Sequence, residues 1–111
     1  MVKPIRITTE DGKEYTLEFS RKTVSIAEEA GLSLKDISAK PMSSVTTLFH
    51  CAFLKNHPYM TSRETERILF EELGGIGNLP EGMIERLMEL YAAPFESTTD
   101  GLKNVKARVE L

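Results

Sequence analysis

The sequence predicts an α+β fold, an N-terminal β-hairpin packed on about four α-helices, on the strength of three observations. Asp11-Gly12 stands between two alternating, β-prone stretches, the strongest short-range hairpin signal, because both residues tolerate positive φ in a tight turn. Val45, Leu48, Phe49, Ala52 and Phe53 recur at the spacing of one helical face. The chain has 111 residues, 41% hydrophobic and 28% charged, which is the size and composition of one globular domain. Residues 1–96 are read as a single α+β domain and 97–111 as a C-terminal tail or an added strand.

In the hairpin, Ile5 and Ile7 fall on one side, as do Tyr15, Leu17 and Phe19, so one face is apolar. A lone hairpin is marginal in water, and helices must cover that face. Ser20 is placed to cap the first helix, whose stripe is Val24, Ala27 and Ala30 with Ile26 beside it; Gly31 fits the left-handed position that ends it. Ser33 is placed to cap a short turn carrying Leu34 and Ile37, with Asp36 near its start. Pro41 opens the next helix, where its missing N–H costs nothing. That helix ends near Asn56, because Pro58 disfavours helical geometry at His57.

Thr61-Ser62-Arg63-Glu64 reads as a capping box for a helix whose buried stripe is Ile68, Leu69 and Leu73. Phe70 broadens the stripe, and Gly74-Gly75 stop the helix. Pro80 suits the first turn of a last helix through about Ala93, with Met83, Ile84, Leu87, Leu90 and Tyr91 as its apolar set and Pro94 at its end. Val105, Ala107, Val109 and Leu111 then alternate with Lys106, Arg108 and Glu110, a third strand beside the hairpin or a frayed tail.

The charge balance weighs against a nucleic-acid partner, since 14 basic residues face 17 acidic ones and phosphate binding draws on Lys and Arg. Cys51 is the single cysteine, so no intramolecular disulfide can form. No apolar run reaches signal-peptide or membrane-spanning length, and the expectation is a cytoplasmic protein with no membrane partner.

Sites for chemistry are sparse. His50, Cys51 and His57 are of metal-binding type, but three residues on one helix and its end cannot close a tetrahedral zinc site alone. His50 cannot activate Cys51, because adjacent helical residues point about 100° apart. Gly74-Gly75-Ile76-Gly77 follows a helix and lacks the spacing of a phosphate loop. Glu64, Glu71 and Glu89 lie at salt-bridging offsets from Arg67 or Arg86, as a solvated charged face requires. The expectation is a non-enzymatic protein with no cofactor and no metal.

Six apolar residues stand outside the narrow stripes: Leu54, Tyr59, Met60, Phe70, Met88 and Phe95. Either the core is broad enough to take them or some remain outside as a protein-binding surface. Met60 and Met88 would suit a surface that adapts to varied apolar targets.

The order of these segments resembles that of the small tail assembly chaperones of long-tailed bacteriophages and prophages, particularly those of Gram-positive hosts. The resemblance runs from Ile5-Arg6-Ile7 through Tyr15-Thr16-Leu17-Glu18-Phe19 and Ile26-Ala27-Glu28-Glu29-Ala30-Gly31-Leu32. It continues through Val45-Thr46-Thr47-Leu48-Phe49-His50-Cys51-Ala52-Phe53 to Thr61-Ser62-Arg63-Glu64-Thr65-Glu66-Arg67-Ile68-Leu69, and covers roughly residues 5–95. It rests on order, length and apolar pattern, with no signature cluster of polar residues. It implies a non-enzymatic protein of the bacterial host cytoplasm that binds the tape-measure protein, or another phage tail protein, and keeps that helix-rich chain soluble during tail assembly. It also implies scope for a homo-oligomer and, in some members, a longer frameshifted form. It supplies no catalytic residues.

Two other readings stand beside this one. A small helix-turn-helix regulator is suggested by the helix pairs around Gly31 and Asn56–Thr61, against the acidic balance. A structural tail-completion or connector protein would be found in finished particles, where a chaperone would be absent.

Overall fold

In a computed structural model that describes residues 2–96 and 107–111, strands β1 (Ile5–Thr8) and β2 (Glu14–Leu17) pair antiparallel with Ile5 opposite Leu17 and Ile7 opposite Tyr15. The turn differs from the expected two-residue Asp-Gly turn. The Gly12 N–H donates to the Thr9 carbonyl at 2.9 Å and the Thr9 N–H donates to that of Lys13 at 2.9 Å. Glu10 and Asp11 are therefore the central residues, and Gly12 follows them at φ 86°, where a side chain would be strained.

Of the two alternatives for the C-terminal segment, tail or added strand, residues 107–111 carry no regular structure, with Val109 and Leu111 exposed. Val105, with the rest of 97–106, lies outside the described residues.

Helix α1 (Arg21–Glu29) starts at a capping box in which the Ser20 hydroxyl accepts the Thr23 N–H at 3.3 Å and the Thr23 hydroxyl accepts the Ser20 N–H at 2.9 Å. It closes with Leu32 N–H on the Ala27 carbonyl at 3.0 Å and Gly31 N–H on that of Glu28 at 2.9 Å, with Gly31 at φ 91°. Its buried face is Thr23, Val24 and Ala27; Ile26 is exposed, since its side chain points about 100° from that of Ala27, and Ala30, expected in the stripe, is an exposed C-cap residue. Short helix α2 (Asp36–Ala39) lacks the expected Ser33 side-chain cap, since its turn is closed by the Ser33 carbonyl accepting from Asp36 N–H at 2.9 Å.

Helix α3 (Pro41–Phe53) is the centre of the molecule. Its five periodic apolar residues are all buried, and it packs against α1, α2, β2 and the two helices that follow. It also closes the outer edge of β2. The Glu18 N–H donates to the Ala52 carbonyl at 2.9 Å, the Thr16 N–H donates to His57 Nε2 at 3.1 Å, and Asn56 Nδ2 donates to the Thr16 carbonyl at 3.1 Å. The hairpin is thus fixed to α3 by backbone hydrogen bonding as well as by Leu17 and Phe19 packing in the core.

Helix α4 (Ser62–Arg67) begins at the expected capping box: Thr61 Oγ1 accepts from Glu64 N–H at 3.1 Å and Glu64 Oε1 accepts from Thr61 N–H at 3.3 Å. Replacing Thr61 with Ala removes an acceptor for an otherwise orphaned amide and is expected to cost about 1 kcal/mol in urea unfolding. Beyond Arg67 the chain widens into one π-helical turn, Ile68–Glu72, in which the Leu73 N–H reaches back five residues to Ile68 at 2.9 Å. After Gly74-Gly75 and a 3₁₀ turn (Ile76–Asn78), helix α5 (Met83–Ala92) follows Gly82 as its N-cap, φ 84°, so its first residue is three beyond Pro80. A further 3₁₀ turn, Ala93–Glu96, contains Pro94. Leu17, Leu48, Phe49, Phe53, Ile68, Leu69 and Leu87 are fully enclosed in the core these helices share.

Candidate functional site

The six apolar residues outside the stripes separate into two groups. Leu54, Met60 and Met88 are half-buried and pack against the core, which is broad enough to take them. Tyr59, Phe70 and Phe95 stay outside, with 94%, 39% and 68% of their surface exposed. Tyr59 lies on the connection between α3 and α4, and the Phe95 ring lies 6.2 Å from that of Tyr91 at the end of α5.

Phe70 instead meets a residue that sequence reasoning passed over. It lines a groove of about 510 Å³ with Pro41, Met42, Thr46, Thr47 and Glu66, where the first turns of α3 run beside α4. Met42 is 64% exposed. Its spacing to Val45 and Phe49 reads as core, but the core stops short of the first turn of α3 and leaves the thioether in solvent. Phe70 is the converse case. It follows Arg63, Glu66 and Arg67 by seven, four and three residues, so it stands on the charged face of α4 rather than on the Thr65–Ile68–Leu69 face that is buried. That offset was the signal available in the sequence.

A second hollow of about 610 Å³, lined by Arg63, Glu66, Arg67 and Glu71, lies on the other side of Phe70. The ring is therefore a ridge between an apolar groove and a charged one. Gly75 lies near the ring: a Cβ there would stand 3.7 Å from it, at a backbone φ of 96°. Arg67, beside the ring, pairs with Glu72 at 3.3 Å. Such an arrangement has the form of a helix-binding surface, with an aromatic and a methionine as anchors and mixed charge at the rim.

The residues of reactive type have other duties. Cys51 is buried in the core, and burial pushes its thiol up to about 11 from an ordinary 9.0. The thiolate is the nucleophile, so Cys51 is expected to resist thiol-modifying reagents at pH 8 until the protein unfolds. Because the folded state holds the thiol proton more tightly, stability is unaffected by this group below pH 9.0 and falls as pH rises from there towards about 11. His50 Nδ1 lies 2.9 Å from the Thr65 hydroxyl, joining α3 to α4, and burial holds its pKa below 6.5. His57 Nε2 accepts the Thr16 N–H at 3.1 Å and so ties the chain just after α3 to β2. Among the described residues, no three His, Cys, Asp or Glu side chains converge as metal ligands, and no helix is long and apolar enough to cross a membrane.

The family model described as "Domain of unknown function (DUF5055)" matches residues 1–111, and the chain belongs to that family. No curated protein and no solved structure matches it.

Proposed function

We propose that this member of the DUF5055 family is a non-enzymatic protein-binding module that serves as a tail assembly chaperone of a long-tailed phage or prophage, acting in the cytoplasm of the bacterial host. The observation that carries the reading is the exposed Met42–Phe70 pair on one groove between α3 and α4. Its client is an amphipathic helix of the tape-measure protein, laid with its apolar stripe on the groove and its charged flanks towards Lys40 and Glu66. A long helical chain awaiting its tail tube exposes many such stripes, and covering them one by one keeps it soluble.

Co-expression with a tape-measure fragment tests this. The fragment is expected to move from the insoluble to the soluble fraction and to co-purify with the chaperone. A fragment whose solubility is unchanged, with no complex recovered, contradicts it.

A further inference from the structure

The edge of β1 is a second surface, sharing no residue with the Met42–Phe70 groove. Arg6 lies opposite Thr16, whose N–H and carbonyl are turned away from β1 to bond His57 and Asn56. Arg6 and Thr16 are therefore a non-hydrogen-bonded pair, and the N–H and carbonyl of Arg6 face the other way, as do those of Thr8 opposite Glu14. Among the described residues nothing bonds these groups. They open onto a cleft of about 450 Å³ walled by Leu73, Pro80, Met83 and Arg86. An open strand edge over an apolar floor is a template for one more strand.

A matching strand is present on the same chain. Residues 107–111 alternate Ala107, Val109 and Leu111 with Arg108 and Glu110. Arg108 and Glu110 already lie on one side, 3.9 Å apart, which leaves the apolar set on the other. Five extended residues reach about 16 Å, enough to run the length of β1. Yet in the single chain this segment lies off the edge, with Val109 81% exposed. Donor and acceptor are both unfilled on one molecule, and two copies satisfy both.

We infer that two copies exchange strands, residues 107–111 of each pairing with the free edge of β1 in the other. The register is antiparallel with Val109 opposite Ile7 and Leu111 opposite Ile5. It sets Val109 and Leu111 over Leu73 and Met83, and places Glu110 opposite exposed Arg6 on the outer face as a cross-strand charge pair. A parallel strand along the same four residues would instead set Arg108 beside Arg6 with Glu110 beside Thr8, and like charges would face each other.

Sedimentation of the full chain from 1 to 100 µM and a cross-linking experiment test this together. The wild type is expected to form a dimer, and the double variant Val109→Asp/Leu111→Asp to dissociate at least tenfold more readily while keeping the helical circular dichroism of a folded chain. Chains carrying Arg6→Cys, mixed under oxidation with chains carrying Glu110→Cys, are expected to form a disulfide-linked heterodimer; buried Cys51 stays out of the exchange. A chain that remains monomeric throughout, a dimer indifferent to the Val109 and Leu111 changes, or a doubly substituted chain that closes its disulfide on itself as a monomer overturns the inference. Loss of the dimer leaves tape-measure solubilisation unaffected, so the two proposals fail separately.

Discussion

Phe53→Ala is expected to lower the unfolding free energy by about 3–5 kcal/mol, the usual cost of emptying a buried aromatic site. Phe53 is fully enclosed, and its ring makes edge-on contacts with Tyr15 at 5.4 Å and Phe49 at 5.1 Å between centroids. The Tyr15 contact joins β2 to α3, so the truncated side chain leaves a cavity and also unties the hairpin from that helix. Domains of this size have only about 5–15 kcal/mol in all, and the variant is expected to melt close to ambient temperature. Phe53→Leu keeps most of the apolar volume and costs less. Urea unfolding with an unchanged m-value is the measurement. A loss below about 1 kcal/mol for Phe53→Ala would show that α3 is not the centre of the core.

The second large effect is on binding. Met42→Glu combined with Phe70→Glu is expected to weaken client binding by at least 100-fold, because each of two anchor positions contributes ~1–2 kcal/mol and the client's apolar stripe would then face two unpaired charges. Both side chains are substantially exposed, so the same variant is expected to keep its Tm within a few degrees. Tyr59→Glu serves as the control, being the more exposed side chain and outside the groove. Its binding is expected to match the wild type. Titration calorimetry against a tape-measure peptide separates the three chains.

Much of the fold is legible in the sequence because local chemistry and global packing agree. The Thr61 capping box, Gly31 at the end of α1, Pro41 at the start of α3 and the five periodic residues of α3 all lie where their chemistry places them. The misses have physical causes. Asp11-Gly12 marks a hairpin but does not choose between a two-residue turn and a longer turn followed by a left-handed glycine; the Thr9–Lys13 hydrogen bond decides that. Gly82 rather than Pro80 starts α5, since either residue type can lead a helix. The π-helical turn at Ile68–Glu72 has no signature in residue type.

The candidate surface was half legible. Surplus apolar residues pointed to a surface, and Phe70 belongs to it. Leu54, Met60 and Met88 did not separate from it, because side chains at the margin of a core and side chains on a binding face are the same residue types at similar spacings. Met42 was hidden by the opposite ambiguity. Its periodicity is that of a core position, and only the length of α3 relative to its neighbours leaves it in solvent.

Hydrogen exchange on the client complex probes the groove most directly. Binding is expected to slow exchange at the start of α3 around Met42–Thr46 and along Glu66–Phe70, with little change around Tyr59. Protection confined to β1, or spread evenly over the chain with none beside Met42 and Phe70, would contradict a groove between α3 and α4 as the place where the client is held.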